Sequence, residues 1–110
     1  GTRLPIAVAH GEGRAEISDQ DLNRNIEQRL LALRYVDSLG NPAEQYPANP
    51  NGSAQGVTGF TTRDGRATIM MPHPERVFRV LQNSWIPDDW RRFENGPWYR
   101  LFANARKWVG

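Results

Sequence analysis

A chain of 110 residues builds a modest core and one domain at most, and its 38% of apolar residues with 10 glycines is an ordinary globular composition. No apolar run approaches the roughly 18 residues of a membrane span, and Gly1 to Pro5 show no signal-type pattern, so a soluble cytoplasmic protein with no membrane partner is expected. The lack of cysteine excludes disulfides, thiolate zinc sites and a cysteine nucleophile within these residues, and a net charge of only +2 is weak grounds for a nucleic-acid partner.

Leu4 to Ala9 is a nearly continuous apolar run closed by His10-Gly11-Glu12-Gly13, a pattern that suits a parallel-type strand buried on both faces and ending in a glycine-rich turn. Ser18 followed by Asp21 resembles a capping box, and Leu22, Ile26, Leu30 and Leu33 repeat at helical intervals, so a helix is expected from about Asp19. Tyr35 and Val36 favour a strand over 30–36, which places the helix end near Gln28 or Arg29. From Asp37 to Gln55 glycine, proline, asparagine and serine are dense, which predicts a long ordered loop. Val57 to Thr62 and Arg66 to Met71 flank Asp64-Gly65 and predict a β-hairpin. Pro74 suits the first turn of a helix continued by Val77, Phe78, Leu81 and Trp85 and stopped before Pro87. Pro97 opens a last helix with Trp98, Leu101, Phe102, Ala105 and Val109 on one face. Strands alternating with helices favour an α/β layered domain.

The segment "IMMPHPERVF", residues 69–78, places a histidine between two prolines with a glutamate two positions on. Each proline fixes its own φ and drives the residue before it towards extended geometry. In an extended chain His73 and Glu75 would face one way, about 6.6 Å apart at Cα. An imidazole oriented by a carboxylate keeps its other nitrogen free for proton transfer to a nucleophile. On spacing alone a blander reading stays open: Glu75 complements the positive end of a helix and His73 packs at its start. None of Ser18, Ser38, Ser53 and Ser84 sits in a nucleophile elbow, so the residues supply at most two members of a triad.

Taken together, "PIAVAHGEGRAEI", "LALRYVD", "YPANPNGS", "TIMMPHPERVFR" and the terminal "NARKWVG" closely resemble the C-terminal part of the large single-chain phosphoribosylformylglycinamidine synthase family, over essentially the whole chain. The last domain of that family is a class I glutamine amidotransferase. The resemblance implies that residues 1–110 are the C-terminal part of a flavodoxin-like α/β glutaminase domain, with a β-hairpin and C-terminal helices, lacking the N-terminal part that carries the nucleophile cysteine. It implies catalytic roles for His73 and Glu75, glutamine as substrate, and no cofactor or metal in this piece, with ATP and Mg2+ serving a separate synthetase domain. The piece by itself is expected to be inactive. His10-Gly11-Glu12 lacks the spacing of a phosphate loop, and its place after a strand end suggests a wall of the glutamine pocket; a turn shaped only for backbone geometry is the alternative.

Two other readings compete on residues alone. The pairs His10-x-Glu12 and His73-x-Glu75 could offer ligands to a divalent metal in a hydrolase. The aromatic and basic residues Trp90 to Phe93, Trp98 to Arg100, Lys107 and Trp108 could form a binding surface, although Trp98, Leu101 and Phe102 make a stripe better suited to core packing.

Overall fold

The computed structural model describes all 110 residues. They form two compact units, one of residues His10–Met71 and one of Gly1–Ala9 with Pro72–Gly110.

Within His10–Met71, helix α1 spans Asp19–Glu27. It starts where the sequence predicts because the Ser18 hydroxyl accepts from the Asp21 N–H at 3.1 Å, satisfying one of the free donors of the first turn. It stops because Arg29 takes a left-handed φ of 57°. The N–H of Leu30 then reaches the Asn25 carbonyl at 2.9 Å and that of Arg29 the Ile26 carbonyl at 3.0 Å, the double closure of a Schellman turn. Leu22, 1% exposed, is the anchor of the helix.

Strands β1 (Leu31–Arg34), β2 (Val57–Thr61) and β3 (Thr68–Met70) form one antiparallel sheet in that order. The expected hairpin is β2–β3, with Thr61 opposite Thr68 and Gly65 at a positive φ of 69° in the connecting loop. β1 pairs with β2 through two register irregularities. Val57, fully buried, and Tyr35 and Ala43, both buried, complete the apolar core of this unit. The loop between β1 and β2 is ordered as expected and closes in a 3-10 turn at Ala54–Gly56. Gly56 has a φ of +69°, and a Cβ there would stand 2.6 Å from the Tyr35 carbonyl oxygen, so no other residue fits without moving backbone.

In the other unit two expectations are corrected. Leu4 to Ala9 is not a parallel strand buried on both faces: it makes a single antiparallel bridge, Ala7 with His73, and Pro5 and Ala9 are exposed. Pro5 has no N–H to give to a ladder, and no second strand pairs with the segment. The helix expected over 74–85 is replaced by short 3-10 turns at Pro74–Arg76 and Val80–Gln82. The backbone groups that would have closed it are used elsewhere: Val80 N–H donates to the Glu94 carbonyl at 3.0 Å, and Gly96 N–H to the Phe78 carbonyl at 2.7 Å. The Asn83 amide donates to the carbonyls of Val77, Arg79 and Val80, which pins the kinked path.

The last helix, α2, spans Tyr99–Trp108. Its aromatic face is packed only in part. Phe78 stacks on Tyr99 and meets Phe102 edge-on at 6.0 Å between centroids, while the Trp98 indole N–H donates to the Pro5 carbonyl at 2.8 Å. No residue of α2 is fully buried, and Ala105, Trp108 and Val109 are exposed, so the expected core stripe is half realised. Trp90, Phe93, Trp98 and Tyr99 line an open groove of about 820 Å³ with Leu4 and Leu101.

Candidate active site

His73 is held by its own backbone before its side chain is considered. Its N–H donates to the Ala7 carbonyl at 2.8 Å, its carbonyl accepts from the Arg76 N–H at 3.1 Å, and the prolines on either side are both buried. Neither φ of those prolines can rotate away, so the imidazole leaves a fixed base. His73 is the N-cap of the 3-10 turn Pro74–Arg76, and Glu75 lies in that turn. An N-cap residue has non-helical dihedrals, here φ −111° and ψ 86°, so its side chain leans over the first turn and reaches Glu75. The same-face pairing expected from an extended chain is therefore achieved by a cap geometry.

Nδ1 of His73 lies 2.7 Å from Oε1 of Glu75, a short, charge-assisted separation. A carboxylate only accepts, so Nδ1 carries the proton and donates, which leaves Nε2 as the basic nitrogen of the neutral ring. Nε2 makes no hydrogen bond within the chain. The hydrogen bond from His73 holds the Glu75 carboxyl below the usual glutamate range, with its own backbone N–H and the charges of His73 and Arg76 acting in the same direction. The pair is a fixed, oriented base whose outer nitrogen is open, which suits moving one proton to and from a group brought alongside.

The turn His10 to Gly13 lies in the other unit and is built differently. The His10 ring covers Gly13, where a Cβ would meet ring Cγ at 2.7 Å, and neither ring nitrogen hydrogen-bonds within the chain. Gly11 and Glu12 are exposed, and the Glu12 carboxylate has no ion-pair partner. Sequence reasoning missed the residues that hold this turn. Asn51 Nδ2 donates to the carbonyls of His10 and Gly11 at 3.4 and 3.3 Å, and Ser53 Oγ accepts from the Ala15 N–H at 3.0 Å. Asn49, 1% exposed, braces the loop from inside: its amide donates to the carbonyls of Ala43 and Ser53, and its oxygen accepts from the N–H groups of Gly52 and Ser53. A buried amide with donors and acceptor all paired fixes its loop, because losing any one partner leaves a group unsatisfied at a cost of about 1–3 kcal/mol. The signal was present as the dense "NPNGS" of the loop, but its partners are about 40 positions away in sequence.

For the competing readings, no group of three or more His, Asp or Glu side chains converges to hold a metal ion. The aromatic residues of the C-terminal region divide between packing on Phe78 and lining the open groove. No helix is long and apolar enough to cross a membrane.

The structure thus presents a small α/β arrangement with a His–Glu pair on a turn flanked by two buried prolines. The family of the CobB/CobQ-like glutamine amidotransferase domain matches residues 1–109, and the chain belongs to that family. Glutamine is accordingly the substrate class of the domain, and amide-nitrogen transfer its general chemistry.

Proposed function

We propose that the chain is the C-terminal part of the glutaminase domain of a phosphoribosylformylglycinamidine synthase, a domain with a flavodoxin-like fold completed by polypeptide outside these residues. The observation that carries the proposal is the 2.7 Å contact that fixes His73 Nδ1 on Glu75 and leaves Nε2 open. With 0 cysteines in the chain, the nucleophile comes from that other polypeptide. His73 Nε2 takes the thiol proton as sulfur attacks the γ-carboxamide carbon of glutamine, and returns it to nitrogen as ammonia leaves. It next takes a proton from water, whose oxygen attacks the glutamyl thioester and releases glutamate and free thiol. Glu75 keeps the ring in the Nδ1–H tautomer and stabilises imidazolium in each half-reaction. His10, Gly11 and Glu12 contact glutamine.

Ammonia is then consumed in the ATP-dependent conversion of formylglycinamide ribonucleotide to formylglycinamidine ribonucleotide, with ATP and Mg2+ bound by a synthetase domain outside these residues. The sequence likeness in "PIAVAHGEGRAEI", "LALRYVD", "YPANPNGS" and "TIMMPHPERVFR", taken in order, supports this particular synthase over other glutamine amidotransferases. The test is glutamate release from glutamine by the 110-residue chain alone and after addition of the cysteine-bearing polypeptide. Activity only after addition is expected; hydrolysis by the chain alone would overturn the assignment.

A further inference from the structure

Glycine follows asparagine at Asn51-Gly52 and at Asn95-Gly96. Such a pair can react with itself, because a glycine has no side chain to keep its backbone nitrogen from the carboxamide carbon before it. The structure treats the two pairs differently. Gly96 is buried, its N–H donates to the Phe78 carbonyl at 2.7 Å, and a Cβ there would meet that same oxygen at 3.5 Å. Gly52 is exposed and a Cβ there would meet nothing within 4 Å, so a ring built on its nitrogen has room and water has access. The Gly52 N–H donates to Asn49 Oδ1 at 3.0 Å, but that oxygen also accepts from the Ser53 N–H at 3.2 Å and keeps a partner when Gly52 lets go. The Asn51 carboxamide is tethered to the His10 and Gly11 carbonyls at 3.4 and 3.3 Å, contacts longer than ordinary N–H···O bonds.

We infer that Asn51 is a site of spontaneous deamidation, and that its conversion releases the His10 to Gly13 turn. The Gly52 nitrogen attacks Asn51 Cγ and gives its proton to a solvent base. The carboxamide C–N bond breaks, and its nitrogen takes a proton from solvent and leaves as ammonia, which closes a cyclic imide. Water then opens the imide, at the side-chain carbonyl to give aspartate or at the backbone carbonyl to give isoaspartate. In sum, an amide and water become a carboxylate and ammonium. The product carboxylate has no donor, so the tether to two carbonyl oxygens becomes repulsion between oxygens. The turn it held contains Gly11 and Gly13 and regains conformational freedom once released.

The experiment holds the complete polypeptide that contains this domain in mildly alkaline buffer at physiological temperature. Peptide mass mapping follows conversion at each asparagine, with the aspartate and isoaspartate products separated by chromatography. Asn51 should convert about three- to tenfold faster than Asn95, the range set by one net hydrogen bond. Amide exchange over Gly11 to Ala15 should rise by a similar factor as Asn51 converts, and Asn51→Asp should show the faster exchange from the start. Asn51→Gln keeps the amide donors but must close a larger, slower ring, so its exchange should stay constant through the incubation. Conversion at Asn95 as fast as at Asn51, or none at Asn51, would overturn the modification site. Exchange in Asn51→Asp equal to wild type would overturn the release of the turn.

Discussion

Nδ1 of His73 and Oε1 of Glu75 lie 2.7 Å apart, and the contact spans the N-cap and the first turn of a 3-10 helix. The depressed carboxyl of Glu75 follows from this geometry, since the hydrogen bond from His73 favours the ionised form. Carboxyl-carbon NMR should show Glu75 titrating below glutamate in a short peptide, and His73→Ala should move that midpoint up. A group depressed on folding stabilises fully above its unfolded pKa, and that contribution fades as pH falls through the folded value. Acid unfolding of His73→Ala should therefore lose the corresponding part of its pH dependence on the acid side of the ordinary glutamate range. An unmoved Glu75 midpoint in the variant would show that the contact is absent in solution.

Glycine is required at 56 but only convenient at 65. Both have a φ of +69°, yet a Cβ at Gly56 would strike the carbonyl oxygens of Tyr35 and Ala43 at 2.6 and 2.9 Å, whereas one at Gly65 meets open space. Gly65→Ala should cost about 1–2 kcal/mol, the strain of the left-handed conformation, and Gly65→Asn less. Gly56→Ala should cost more than either, because backbone must move. Urea titrations of the three variants that rank Gly65→Ala as the most harmful would contradict the packing described.

Burial separates two leucines of similar appearance in sequence. Leu22 is 1% exposed and Leu81 is 96% exposed. Leu22→Ala should lose about 2–5 kcal/mol of stability, and Leu81→Ala should stay within about 0.5 kcal/mol of wild type. A large loss from Leu81→Ala in thermal unfolding would revive the continuous helix that its spacing suggests.

The first turn of α1 depends on one hydroxyl. Ser18→Ala should destabilise by about 1 kcal/mol and Ser18→Gly by only a few tenths, measured by the same denaturation.

What could be read in advance divides along the range of the interactions. The start of α1 and the β2–β3 hairpin were legible because Ser18 acts three residues away and Asp64-Gly65 dictates its own turn. The pairing of His73 with Glu75 was legible from spacing and proline restriction, although through a cap and not an extended chain. The stripe Val77, Phe78, Leu81 and Trp85 misled because periodicity reports only local preference. It is silent on Glu94 and Gly96, whose backbone groups capture those of Val80 and Phe78. The double-sided burial inferred for Leu4 to Ala9 failed for a related reason, since an apolar run does not say how many strands lie beside it. Asn51 and Ser53 were invisible as holders of the His10 turn because polar loop residues carry no sign of which distant backbone they bind.

The most direct measurement is the initial rate of glutamate release from glutamine by the complete polypeptide, wild type beside His73→Asn, at saturating glutamine and neutral pH. If His73 carries the proton as proposed, the substitution should slow release on the order of a hundred- to ten-thousandfold. Glutamate release at the wild-type rate from His73→Asn would show that proton transfer belongs to another group.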